Sequence, residues 1–216
     1  MNKSCYRIIT HAAADCSFRS PPGTRALACN EPVPIGHMRN LTDSGTILGM
    51  VKRLPHLDAS RIGDDKALAI AAYGESVSAY RYIVLAEKAP NAPLRESFQE
   101  MVRQENAQRE AIQALLTSLF PTACFFLTSE DKNLVCVGPR LVDARDDARF
   151  DEAMRLIVAS EKRSISFYSR YATVAATPQV KALFEQLYRE GLQRVKVLRE
   201  LFSTAGKPIP EACPIQ

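Results

Sequence analysis

Residues 64–120 read DDKALAIAAYGESVSAYRYIVLAEKAPNAPLRESFQEMVRQENAQREAIQALLTSLF. Proline is absent from Lys66 to Ala89 and again from Leu94 to Phe120, with Pro90 and Pro93 at the joint. Two long helices fit, the first with Asp64 or Asp65 as N-cap and ending before Pro90, the second starting near Asn91–Pro93 and stopping at Phe120–Pro121. So short a joint makes an antiparallel helical hairpin. The pattern then recurs. A third helix is predicted from Asp146–Asp147 to Ala175–Ala176. A fourth has Thr177 as N-cap, Pro178 at its first position, and Gly206 then Pro208 as its stop. Between the hairpins, Phe125–Thr128 and Leu134–Val137 flank the polar stretch Ser129–Asn133, which reads as a small β-hairpin or an extended crossover.

The two hairpins also repeat in detail. Glu75 corresponds to Glu161, and seven residues later stand Tyr82 and Tyr168. Thirty residues after Glu75 comes Glu105, and twenty-nine after Glu161 comes Glu190. Each opens a matching run, Glu105-Asn-Ala-Gln108-Arg109 and Glu190-Gly-Leu-Gln193-Arg194. Positions three, four and seven away from each glutamate are mostly apolar or small, so one glutamate per helix is expected to face inward at mid-length. Four ionised carboxylates in one core need compensation by protons, arginines or cations. Two divalent ions balance four negative charges. Arg109 and Arg194, each four residues after its glutamate, are the alternative.

With these residues the chain resembles the ferritin-like superfamily, most closely its rubrerythrin branch, over about Asp64–Ala205. The resemblance implies an all-α four-helix bundle of two antiparallel hairpins joined by a long crossover. It also implies a Glu from one helix and a Glu-x-x-His from the next in each half, together holding two iron ions. Glu75, Glu105, Glu161 and Glu190 match the four metal ligands. Gln108 and Gln193 fall on the two histidine positions and become weak ligands or groups that orient the carboxylates, as do Tyr82 and Tyr168, whose hydroxyls are expected on nearby carboxylates. The only histidines, His11, His37 and His56, precede the bundle. An all-oxygen ligand set suits Mn better than Fe. No C-x-x-C occurs, so the family's rubredoxin module is missing and electrons would come from a separate redox-partner protein. The implied activity is dinuclear-metal oxidoreductase chemistry on peroxide or dioxygen. The alternative is a bundle with a degenerate, metal-free site acting as an interaction or dimerisation module. A homodimer is expected by the same analogy.

The remaining organisation is residues 1–60 as an irregular arm, 61–206 as the bundle with its crossover at about 119–145, and 207–216 as a tail. The arm holds five prolines, a short predicted helix near Ile47–Leu54, and Met38 and Met50 as alternative starts. A net charge of +4 without any lysine/arginine run gives no reason to expect nucleic acid or an anionic membrane as partner. No apolar run approaches the about eighteen residues of a membrane helix, and no secretory signal is recognised, so cytoplasm is the default. Six scattered cysteines read as free thiols, Cys124 and Cys136 being packed thiols before a pair.

Overall fold

The structure, a computed structural model, describes residues 61–204, all within the unit His56–Gln216. The arm 1–60 with its predicted helix, the tail 207–216 and the Gly206–Pro208 stop lie outside the described residues. The described chain runs α1 (Asp64–Lys88), α2 (Ala92–Leu119), α3 (Ser129–Asn133), α4 (Asp147–Val174) and α5 (Pro178–Thr204). Helix α1 packs along α2, α4 along α5, and α1 against α4, while α2 and α5 meet only sparingly. The expected all-α bundle of two hairpins is therefore present.

Local chemistry places the ends. Asn91 caps α2 by accepting from the Leu94 amide at 3.0 Å, and Asp146 caps α4 through the Arg149 amide at 2.9 Å. The expectation for α1 is corrected. Its N-cap is Gly63, with no side-chain cap. Asp64 instead reaches across the bundle, accepting from the Tyr171 hydroxyl (2.6 Å) and from the amides of Ala176 (3.2 Å) and Thr177 (2.8 Å). It thus ties the start of α1 to the α4–α5 joint. Burial pushes its carboxyl up, but these hydrogen bonds outweigh burial and hold it below the ordinary range.

The crossover is the second correction. No β-hairpin forms. Ser129–Asn133 is a helical turn opened by a capping box, with the Thr128 hydroxyl and the Asp131 carboxylate each bonding the other's backbone amide. The following Leu134, Val135 and Cys136 are buried against the bundle. The carbonyls of Val135, Cys136, Val137 and Pro139 are taken by side chains rather than by a partner strand. Ser164 donates to Val135 O at 2.9 Å, Arg163 to Cys136 O at 3.2 Å, and Arg81 to Val137 O at 2.8 Å and Pro139 O at 2.6 Å. Arg81 is wholly buried and also donates to Ser160 Oγ at 2.6 Å. Gly74 permits this close approach, since a Cβ there would lie 3.0 Å from Val135 Cβ. Helix α1 is consequently covered on two sides, which explains why its sequence is apolar nearly all round. Cys124 and Cys136 are both free thiols; Cys136 is packed as expected, whereas Cys124 is exposed, because the stretch before α3 does not form the strand that would have buried it.

The core has two apolar clusters. One gathers Phe167, Tyr168, Tyr171 and Phe184 with Leu68, Ile112 and Leu187. The other gathers Tyr82, Phe98, Met101, Phe150, Ile157 and Leu198. On every long helix the step from one cluster to the other passes through a charged residue: Glu75 on α1, Glu105 on α2, Glu161 on α4 and Arg194 on α5.

Candidate functional site

These four residues form a buried polar layer across the bundle, each no more than 3% exposed. Glutamates between apolar turns are brought inward because the helix faces carrying them must bury Ala71, Met101, Ile157 and their neighbours. The two hairpins then serve each other. The Tyr82 hydroxyl of α1 donates to Glu161 Oε1 of α4 at 2.9 Å, and the Tyr168 hydroxyl of α4 donates to Glu75 Oε1 of α1.

The α5 side differs from the sequence expectation. Glu190 is only half-buried, and its carboxyl accepts from Gln186 Nε2 at 2.9 Å and from Gln108 Nε2. Gln193, placed on a histidine position, is exposed and takes no part in the layer. The inward residue is Arg194. Its Nε lies 2.8 Å from Glu105 Oε1 and donates to Glu161 Oε2 at 3.2 Å, and its Nη2 is 3.7 Å from Glu75 Oε2. Its Nη1 donates to Gln108 Oε1 at 2.8 Å. Gln108 thus links the guanidinium to Glu190. Arg109, the other arginine of the sequence repeat, is half-buried outside the layer, and its Nε has no hydrogen-bond partner among the described residues.

The electrostatics follow from crowding. Burial, then the charge of Glu75, push the Glu105 carboxyl well above the ordinary range against the pull of Arg194. Burial and the neighbouring carboxylates likewise push the Tyr82 and Tyr168 phenols well up, so both stay protonated donors. Burial opposes the charge on Arg194, but Glu105, Glu161 and Glu75 overcome it, and the guanidinium remains charged. Three carboxyls face one cation, and burial beside Glu75 makes Glu105 harder to ionise than an ordinary carboxyl. Glu75 Oε2 and both Glu105 oxygens accept no hydrogen bond among the described residues, the close Arg194–Glu105 contact being an ion pair without hydrogen-bond alignment.

The donor set does not fit a dinuclear metal centre. Three carboxyls remain of the four expected, no imidazole joins them, and a guanidinium, which cannot ligate, stands between them within 2.8–3.7 Å. No group of three His, Cys, Asp or Glu side chains among the described residues is disposed to hold one ion. Of the two arginines offered as the alternative to metal, Arg194 enters the layer and Arg109 does not. The signal lay in the spacing. Steps of 30 and 33 residues lead from Glu75 to Glu105 and Gln108, and the same steps from Glu161 lead to Gly191 and Arg194.

A family model for rubrerythrin matches residues 66–190, a span that takes in Glu75, Glu105, Glu161 and Glu190. None of the curated proteins matches. Among solved structures, a hypothetical protein from Pyrococcus furiosus is similar at 17% identity and a TM-score of 0.57, over 68% of this chain and 94% of that one, a likeness of fold. With more than half of its length under that family model, and a bundle of two helical hairpins built around mid-helix glutamates, the chain belongs to the rubrerythrin family of the ferritin-like superfamily.

Proposed function

We propose that this chain is a metal-free member of its family, in which Arg194 supplies the internal cation, and that it serves as an interaction or pairing module. One observation carries this: the guanidinium already lies among the carboxyls that metal ions would need. A residue of the chain itself offsets part of the buried negative charge, which favours a bundle that folds without metal. An outer stripe on α1 supports pairing. Tyr80 and Ile83, one turn apart, are 36% and 41% exposed. Association of two copies through such a face is favoured by burial of apolar surface. The protein is proposed to work in the cytoplasm, and no described helix is long and apolar enough to cross a membrane.

The test is elemental analysis of protein purified without chelators and again after anaerobic loading with Fe(II) or Mn(II). Metal well below one ion per chain, with an unchanged melting temperature in EDTA, is the expected result; two ions per chain overturn the proposal. For pairing, light scattering should find a dimer that Ile83→Glu converts to monomer. A second reading, the dinuclear oxidoreductase for peroxide or dioxygen with a separate electron donor, draws on the carboxyl excess and on the unpartnered oxygens of Glu75 and Glu105. The same metal analysis decides between the two.

A further inference from the structure

We infer that the outer face of α1 is self-complementary, and that a second copy of this chain covers it in antiparallel register, about a two-fold axis level with Ser76 and Val77. This rests on the pairing reading above and deepens it by fixing which residues meet. Helix α1 is buried on most of its circumference, yet one stripe of it reaches solvent. Tyr73, Ser76, Tyr80, Ile83 and Val84 form that stripe, at steps of three and four residues that keep to one helix face. Between Lys66 and Glu87 the only charged residues of α1 are Glu75 and Arg81, and both are buried. Over about five turns the helix therefore offers no charge to solvent. The solvent faces of α2 and α5 are charged instead, with Glu96, Glu100 and Arg103 on one and Lys181, Glu185 and Arg189 on the other. Depletion of charge with enrichment in tyrosine is what sets the core of an interface apart from ordinary surface.

The charges at the two ends of the stripe decide what covers it. Helix α1 reaches solvent with Asp65 and Lys66 at one end and with Glu87 and Lys88 at the other. One antiparallel register sets Asp65 against the partner's Lys88 and Lys66 against the partner's Glu87, each twice by symmetry. The same register sets Tyr73 against the partner's Tyr80, which brings aromatic surface together on both sides of the axis. It also sets Val84 over the partner's Ala69, a side chain small enough to receive it. Lys66 is shared with Asp131 of its own chain at 2.8 Å, and Lys132, with its Nζ 5.6 Å from the centre of the Tyr73 ring, adds a second positive charge at the end where the partner's Glu87 arrives. A parallel pair would set each end charge against its own copy, which repels. Opposite signs at the ends of an uncharged stripe thus select both the second copy and its direction.

The test is cross-linking of full-length chains in which Cys5, Cys16, Cys29, Cys124 and Cys213 are replaced by serine and the packed Cys136 is kept. Ser76→Cys is expected to cross-link to itself, by oxidation or with a short bismaleimide, and to give a covalent dimer on a denaturing gel. Adding Ile83→Glu to that chain is expected to abolish the dimer band. Glu87→Cys is expected not to cross-link to itself, because its two copies lie about 31 Å apart along the pair, but to do so with Lys66→Cys when the two chains are mixed. Glu87→Lys should weaken the dimer about fivefold in light scattering at low salt, and hardly at all in about 1 M salt. A dimer in which Ser76→Cys stays uncross-linked, or in which Glu87→Cys cross-links to itself, overturns the register and leaves pairing itself standing. A chain that stays monomeric at every concentration overturns the pairing reading as well, so the two failures are told apart.

Discussion

The first hairpin, α1–α2, and the second, α4–α5, have the same plan and opposite contributions. The first brings two buried acids, Glu75 and Glu105, and the amide of Gln108; the second brings one buried acid, Glu161, and the guanidinium of Arg194. Their tyrosines are exchanged symmetrically, Tyr82 to Glu161 and Tyr168 to Glu75. A repeat can thus keep its packing frame while the chemistry at one layer is rewritten by two residues of one helix. The frame persists because the apolar clusters on either side set how the helices are turned, whatever stands between them.

The comparison is broken most severely at its one positive member. Arg194→Leu should cost about 3–5 kcal/mol, read by urea unfolding, since it strands buried carboxyls without a counter-ion. Glu105→Leu in the Arg194→Leu background should recover part of that, and the double-mutant cycle measures the coupling between the hairpins. Next comes the clamp that the first hairpin places on the crossover. Arg81→Met removes hydrogen bonds to Ser160, Val137 and Pro139, and is expected to cost about 3 kcal/mol and to open residues 133–139 to proteolysis before the bundle unfolds.

Two smaller effects sharpen the contrast through pH. Asp64 is held below the ordinary carboxylate range in the folded chain. Its stabilisation is present above the unfolded value and is lost as pH falls through the folded one. Asp64→Asn should cost about 1–2 kcal/mol at neutral pH and flatten the acid side of the stability curve. Glu105 is raised, so the sign reverses. The folded chain keeps a proton that the unfolded chain has released, and stability falls as pH rises from the ordinary carboxylate value toward the raised one, by at most about 1.4 kcal/mol per pH unit. Glu105→Gln should flatten that slope and be neutral or stabilising by about 1 kcal/mol near pH 7, as seen in melting temperature across a pH series.

Much of the architecture was legible in residue patterns. Prolines at 90, 93 and 178 and the caps Asn91 and Asp146 mark ends by purely local chemistry, and the ends fall there. Asp64 looked like a cap because aspartate before a helix usually is one; its real partners are Tyr171, Ala176 and Thr177, more than a hundred residues away. Leu134–Val137 looked like a strand because its residues favour strands, yet its first three amides close a helical turn onto Asp131 and Lys132, and its carbonyls accept from the distant Arg81, Arg163 and Ser164. Neither set of distant partners has a local signature.

The chain of amino acids is enough to say that four long helices form, that they pair as two hairpins, and that acids interrupt their apolar faces at mid-length, since period, caps and breakers act over a few residues. Which side chain of α5 enters the layer was settled by packing. One residue along a helix is a rotation of about 100°, and burying Phe184, Leu187 and Leu198 turns Arg194 inward, leaves Gln193 in solvent and sets Glu190 aside. A single step of register, imposed by contacts between distant turns, separates a cluster of four acids from three acids closed around their own cation.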